Sequence, residues 1–311
     1  MLKYSFLLPA YKSAFLREAM ESILAQSYKD FELIVVDDAS PEDIKSVVDS
    51  FEDTRIRYYR NEKNIGGDNL VAQWNICLSY AKGEWVVLAT DDDIYEAGFL
   101  ATADNLLSKY PQVNIFRGRI CAFSHDKDDL EYIENAMPEY TSIEEFFHTM
   151  YNGLFGGVPE YVFRKSELDA IGGFYELPKA WSSDDVTALL LAKNGIVCSG
   201  QVLVRFRRSG LNISTDGRFQ EEKVIARFKR MAWVYTDLLP SFNADGAYNS
   251  YWTKPMKGMY PFEAKRHLLE EMHKLPWRKR RSLLYLIDEY TPYLNARNKK
   301  TMKFRVFFKI K

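Results

Sequence analysis

Apolar positions in this chain come in strand-length runs, and the runs alternate with stretches of helical spacing. Tyr4 to Leu8 is such a run, closed by Pro9, Ala10 and Tyr11; Leu16, Met20, Ile23 and Leu24 follow at a spacing that places them on one helix face. Glu32 to Val36 predicts a second strand, which runs directly into Asp37 and Asp38. Ser40, Pro41 and Asp43 then predict a helix start: a hydroxyl cap, proline at the first helical position and a carboxylate in the first turn. A third strand candidate, Arg55 to Tyr59, leads through the turn-rich segment Asn61 to Asn69 into a helix with Leu70, Val71, Trp74, Cys77 and Leu78 on one side. From Glu84 the chain is apolar again until it stops at Asp91, Asp92 and Asp93. A helix is predicted over 98–109 and strands over 113–116 and 119–123.

The pattern continues more loosely. The acidic stretch Asp126 to Glu134 reads as an exposed excursion. Gly153, Gly156 and Gly157 precede Val158 to Phe163, and Gly172-Gly173-Phe174 lies ahead of Asp184 and Asp185. That acidic pair opens a predicted helix, Val186 to Lys193, which Asn194 and Gly195 close. A strand from Ile196 to Phe206 ends in the polar segment Arg207, Arg208, Ser209, Asn212 and Ser214. Helical spacing returns over 217–239 and 261–290, around an aromatic segment with Gly and Pro at 242–261.

Three carboxylates at one strand end repel one another, and partial burial disfavours their charged forms, unless a cation or hydrogen-bond donors sit among the oxygens. Hard oxygen ligands suit magnesium or manganese, and open α/β sheets bind ligands just beyond the carboxyl ends of their strands. The plainer alternative is an acidic loop with Asp93 capping the next helix. Two strands ending in paired Asp weigh towards a site. Gly66 and Gly67 allow close backbone approach, or simply make a turn. A carboxylate at a helix N-terminus is stabilised by free amides and the helix dipole, so capping alone also accounts for Asp184 and Asp185.

The runs SFLLPAYKSAFLREAMESILAQSYKDFELIVVDDASPED, NEKNIGGDNLVAQWNICLSYAKGEWVVLATDDDIY and IGGFYELPKAWSSDD together resemble family 2 glycosyltransferases of the GT-A fold, over roughly residues 3 to 215. The resemblance implies an α/β fold, a GT-A type nucleotide-binding open sheet flanked by helices, in a glycosyltransferase domain at 1–215 with a nucleotide-binding half at 1–110 and an acceptor-binding half at 111–215. It does not cover the last third of the chain, where helical spacing and charge predict a mainly helical C-terminal appendage with a basic tail at 216–311. The resemblance also implies a nucleoside-diphosphate sugar as donor, UDP-linked, with Mn2+ or Mg2+ as cofactor. Asp92 is then the principal metal ligand with Asp93 in support, and Asp91 faces the ribose. Asp38 accepts from the base edge of the nucleotide, Tyr11 stacks or bonds nearby, and Pro9, Asn64, Gly66 and Asn75 lie around the nucleotide. Arg207 meets the diphosphate. Asp185, with Asp184 beside it, deprotonates the acceptor hydroxyl. Thr90 stands where the family more often carries the first acid of Asp-x-Asp-Asp, which leaves open which two of the three carboxylates contact the metal.

Composition narrows the picture without adding to it. At 311 residues, 47% hydrophobic and 27% charged, the chain is an ordinary globular protein. No apolar stretch approaches the roughly 20 residues of a membrane span, and Lys3 running straight into a strand is no signal-peptide pattern, so a cytoplasmic location is expected. Cys77, Cys121 and Cys198 are widely spaced and odd in number, and read as reduced thiols; the four histidines have no metal-ligand spacing. Charge is uneven: from Pro276 onward there are 11 Lys plus Arg against 2 acids, while residues 1 to 275 carry 31 against 41. The final stretch from Lys299 mixes cations with Phe and Ile, which suits an anionic membrane surface, a disordered tail or a strand-like cover. No nucleic-acid recognition motif accompanies the charge.

The leading functional expectation is an inverting glycosyltransferase that extends a polysaccharide or lipid-linked glycan at the cell surface. A nucleotidyltransferase shares an α/β nucleotide site and acidic metal ligands, but usually shows a Gly-rich basic phosphate loop near its start, which Pro9-Ala10-Tyr11 is not. A non-catalytic module binding nucleotide sugar or glycan is the remaining alternative.

Overall fold

The structure, a computed structural model, describes residues 2–124, 126–154, 156–210, 217–242 and 265–308. It divides into two compact units: Met1–Glu176 with Ser183–Asn212, and Leu177–Ser182 with Ile213–Lys311.

The first unit is built on a mixed ten-stranded sheet flanked by helices. Strands β1 (Tyr4–Ala10), β2 (Phe31–Asp37), β3 (Ile56–Arg60) and β4 (Trp85–Leu88) lie parallel in the order β3-β2-β1-β4. All seven residues of β2 are buried, as expected where helices cover both faces of a parallel sheet. The sheet continues through β9 (Tyr161–Arg164), which runs antiparallel to both β4 and β6 (Ile115–Phe123), and then through β10 (Ile196–Arg207), parallel to β6. Three short strands complete it: β5 (Ile94–Tyr95) and β8 (Tyr140–Thr141) on β10, and β7 (Leu130–Ile133) on β6.

Helix α1 (Leu16–Leu24) buries Leu16, Met20 and Ile23 as its spacing predicts, together with Ala19, while Leu24 is only partly buried. In the core, Phe6 meets Phe31 and Tyr95 edge to face, and Phe99 meets Phe116 in the same way, the geometry that aromatic quadrupoles favour.

Several elements differ from expectation. Helix α2 (Ile44–Asp49) starts later than Ser40 suggests: Asp43 is its cap, accepting from the Ser46 amide at 3.0 Å. Ser40 instead donates its hydroxyl to the Tyr11 carbonyl at 2.6 Å, joining the β1 and β2 ends. The strands expected at 113–116 and 119–123 are one strand, β6, running through Arg117 and Gly118. Gly118 lies under Phe99 and Leu203, where a Cβ would come within 3.0 Å of the Phe99 ring, and Arg117 is buried with carboxylate partners. The acidic stretch expected to be exposed contains β7 and ends in Glu134, which is buried.

Helices α3 (Leu70–Ser79), α4 (Phe99–Lys109), α5 (Ile143–Tyr151), α6 (Lys165–Ala170) and α7 (Ser183–Leu191) complete the first unit. The second is helical where described: α8 (Gln220–Trp233), a π-helical turn at Val234–Leu238, and helices at 265–273, Trp277–Ser282, Tyr285–Tyr290 and Ala296–Phe308. Val224, Phe228, Leu268, Met272, Leu286, Met302 and Val306 are buried in it. The tail is thus helical to Phe308, neither strand-like nor irregular. Most of the aromatic 242–261 segment lies outside the described residues, as do Asn212, Ser214, His125 and 309–311. Among the described residues no helix is long and apolar enough to cross a membrane, and all three cysteines are buried free thiols.

Candidate active site

Because β9 runs against both β4 and β6, the parallel strands β3, β2, β1, β4, β6 and β10 all end along the same edge of the sheet. That edge carries Pro9 and Tyr11 after β1, Asp37 and Asp38 at β2, the Asp91–Asp93 run after β4, and Arg207 at the end of β10. Pro9 pairs in register with Val36, and Tyr11 is 41% exposed, a large aromatic left open at a ligand-binding edge.

The three carboxylates after β4 have different surroundings. Asp91 Oδ2 accepts from the backbone amides of Tyr11 at 3.3 Å and Lys12 at 3.0 Å, which fastens it to the end of β1. Asp93, expected beside Asp92 as a metal ligand, is instead fully buried: Oδ1 accepts from the Arg207 amide at 2.8 Å and Oδ2 from the Thr90 hydroxyl at 2.5 Å. Asp92 is half-buried between them, with Ser209 Oγ 3.5 Å from its Oδ2. Burial, then the Asp91 charge, pushes the Asp92 carboxyl up to about 6. Burial also raises Asp91, against the pull of the Lys12 and Tyr11 amides, and burial with the Asp92 charge holds Asp93 well above the ordinary range.

Arg207, expected to reach a diphosphate, points elsewhere. Its guanidinium is buried between the rings of Phe15 and Phe123, 4.3 Å and 4.5 Å from their centroids. Nε donates to the Asp92 carbonyl at 2.9 Å, and Nη2 pairs with Glu18. With its own amide on the Asp93 carboxylate, Arg207 holds the acidic run both by the Asp92 backbone and by the Asp93 side chain. A planar fork between two aromatic faces suits arginine and would not suit lysine.

At β2 the two acids hold backbone and neighbouring strands. Buried Asp37 accepts from Tyr58 Oη and the Ser40 amide, both at 2.8 Å, and pairs with Arg60. Ala39, with φ 51° in the left-handed region, makes the tight turn between the two acids and Ser40. Asp38, expected at the base edge, is buried and accepts from Asn61 Nδ2 at 2.7 Å and the amides of Ile65 at 2.8 Å and Gly66 at 2.7 Å, so it shapes the loop ahead of α3. Asn64 Oδ1 accepts from the Gly67 amide at 2.5 Å, and a Cβ on Gly67 would lie 2.3 Å from that oxygen. Asn75, expected near the nucleotide, accepts from the Phe174 amide at 2.8 Å and so anchors the turn at Gly173, whose φ of 94° requires glycine.

Asp184 and Asp185 stand in the first turn of α7, both half-buried, with the Asp185 amide donating to Asp184 Oδ1 at 3.0 Å. Lys179, Ala180 and Ser182 just ahead of them have φ of 52°, 55° and 65°, unusual for residues with side chains. One cluster escaped the sequence reading. Arg117 donates Nε to Glu160 at 2.7 Å and Nη2 to Glu134 at 2.6 Å, all three side chains buried. One cation thus faces two carboxylates, and burial pushes Glu160 up to about 8. Nothing in a run of surface-like acids signals that Glu134 is the member turned inward.

The donor set tests what ion the site would take. The anionic donors at the β4 end are all carboxylate oxygens, and Asp93 has both of its oxygens bonded within the protein. Among the described residues no group of three or more His, Cys, Asp or Glu is arranged to hold a metal. This does not fit a closed protein cage. It fits a hard divalent ion held by one or two carboxylates, with its other ligands drawn from water and phosphate.

Comparison with known proteins bears on the family and the fold. The family model described as Glycosyl transferase family 2 matches residues 5–162. A GalNAc(5)-diNAcBac-PP-undecaprenol beta-1,3-glucosyltransferase of Campylobacter jejuni is 39% identical over 105 residues, 33% of this chain and 33% of that enzyme. The chain therefore covers about a third of that relative's length. A crystal structure of residues 1–349 of S. aureus TarS in complex with UDP-GlcNAc superposes with a TM-score of 0.66 at 17% identity, covering 98% of this chain and 89% of that one. A mannosyltransferase from Pyrobaculum calidifontis in complex with GDP-Man and Mn2+ superposes with a TM-score of 0.56 at 16% identity, covering 99% and 81%. The folds correspond, and the family match takes in half of the chain, including the acidic ends of β2 and β4; the chain belongs to glycosyl transferase family 2.

Proposed function

We propose that the chain is an inverting glycosyltransferase that moves a sugar from a UDP-linked donor to a glycan or lipid-linked acceptor in cell-surface polysaccharide synthesis. The observation that carries this reading is the Asp91–Asp92 pair at the end of β4, fastened by the Tyr11 and Lys12 amides and by Arg207, within the family 2 match. The UDP-GlcNAc complex of TarS and the undecaprenol-linked substrate named for the C. jejuni relative support the choice of donor and acceptor.

Transfer makes negative charge grow on the departing diphosphate while the anomeric carbon takes oxocarbenium character. A divalent ion, when bound, stabilises that charge as a Lewis acid, and Asp92 with Asp91 would hold it. Asp93 and Arg207 keep Asp92 in place. Tyr11 and the Asn64–Gly66 loop, shaped by Asp38, line the nucleotide's position. On the acceptor side the carboxylate of Asp185 takes the proton of the attacking hydroxyl, whose oxygen bonds to the anomeric carbon. The bond from that carbon to the diphosphate breaks, and its electron pair leaves with the nucleotide. General base catalysis of this kind contributes typically about 10²–10⁴-fold.

Calorimetric titration with UDP, GDP and CDP, with and without Mn2+, tests the donor reading. UDP with metal should bind most tightly. Absence of binding by all three nucleotides would overturn it. A lipid-linked acceptor would be met at a membrane face.

A further inference from the structure

The C-terminal helix Ala296–Phe308 has two unlike faces. Met302 and Val306 are buried against its own unit. At about 100° per residue, Arg297, Lys300, Phe304, Phe307 and Phe308 fall on the opposite side, within an arc of roughly 100°. Phe304 is 55% exposed, Phe307 44% and Phe308 57%, and the ring of Phe308 lies 4.6 Å from that of Phe304 and 5.0 Å from that of Phe307. The helix carries five cations and no acid. Its neighbour, Trp277–Ser282, is joined to it by Arg280 Nη1, which donates to the Val306 carbonyl at 2.8 Å, and presents Trp277, 54% exposed, beside Arg278. Every exposed Phe and Trp among the described residues lies between 277 and 308.

We propose that this face is a docking surface for an anionic lipid bilayer, with the three phenylalanine rings entering the interfacial layer and the cations meeting lipid phosphates. Scattered exposed apolar residues need no explanation, but aromatic residues gathered among cations on one helix are the pattern of an interfacial helix. Charge argues against a second copy of the chain as occupant, because two such faces would set like charges against each other. Area argues the same way: three half-exposed rings offer roughly 300 Å² on each copy, or about 600 Å² from two, against about 1,200 Å² in total for a stable protein interface. The inference rests on the proposed function only for the choice of a membrane as the place where a lipid-linked acceptor is met.

Co-sedimentation of the full chain with phosphatidylcholine vesicles, and with vesicles containing about one-third phosphatidylglycerol, tests it without donor, metal or acceptor. Its failure therefore leaves the transferase reading standing, and the converse holds. The expected result is binding to the anionic vesicles at low salt, at least tenfold above the neutral ones. Phe304→Ser/Phe307→Ser/Phe308→Ser should lower it at least tenfold with UDP binding unchanged. Arg297→Glu/Lys300→Glu, at exposed positions, should lower it independently if the serine variant misfolds. Equal binding to both vesicle types, or no loss in either variant, overturns the proposal. So does a concentration-dependent dimer that the serine variant abolishes.

Discussion

Three adjacent aspartates are chemically alike, and their neighbours divide the work among them. Asp93 is enclosed by Thr90 and the Arg207 amide, and with its carboxyl held well above the ordinary range an asparagine imitates its neutral form. Asp93→Asn should therefore leave Mn2+-dependent UDP binding within about threefold, whereas Asp92→Asn should weaken it about 100-fold, as loss of a metal-site group does. Calorimetry on the two variants decides, and equal losses would make Asp93 a ligand after all. Arg207→Lys keeps the charge but not the fork; it should raise the Mn2+ concentration for half-maximal UDP binding about tenfold, while a thermal melt reports the structural cost separately. For the base, Asp185→Asn should keep UDP binding and lose at least about 100-fold in single-turnover transfer. Asp184 accepts the Asp185 amide, so Asp184→Ala should cost about 1 kcal/mol of stability, the net worth of one such hydrogen bond, and less in rate. The reverse pattern would move the base to Asp184.

At the scale of elements, the buried Arg117 joins β6, the end of β7 and the turn Val158–Glu160 that opens β9. One cation among two carboxylates favours a proton on one of them, and Glu160 is the one pushed up to about 8 by burial. A folded-state value above the ordinary one means that the native protein holds this proton more tightly. The stability it contributes is full below the ordinary glutamate range and is lost as pH rises through about 8. Melting temperature measured from pH 6 to 9 should fall more steeply in the natural chain than in Glu160→Gln, which cannot ionise; parallel curves would refute the assignment. Arg117→Met, leaving buried acids unpaired, should cost about 3–5 kcal/mol. This triad also marks where sequence reading reaches its limit. Continuous apolar runs such as Leu33 to Val36 announce β2 unaided, because burial on both faces leaves only apolar choices. Arg117 and Gly118 look like a break in β6, because what permits them, Glu134, Glu160 and the ring of Phe99, comes from other parts of the chain.

At the scale of the molecule, the alternation of strands and helices and the acidic strand ends were legible, since each rests on local pattern. The inward turn of Arg207 was not, because Phe15, Glu18 and Phe123 converge on it only after folding. The same distinction sets how metal and nucleotide act together. With Asp93 occupied internally and no protein cage among the described residues, the proposed metal would draw its remaining ligands from the nucleotide and solvent. Each then raises the affinity for the other by the same factor, because coupling between two ligands is reciprocal. Mn2+ alone and UDP alone should each shift the melting temperature little. Together, at about 100 times the dissociation constant, they stabilise by about 2.7 kcal/mol, roughly 5 °C or more for a unit of this size. Chelator should return the UDP sample to the unliganded midpoint, and Asp92→Asn should make the two shifts merely additive. A full shift with Mn2+ alone would instead reveal a metal site complete without the nucleotide, and the assignment of Asp91 and Asp92 would have to give way to it.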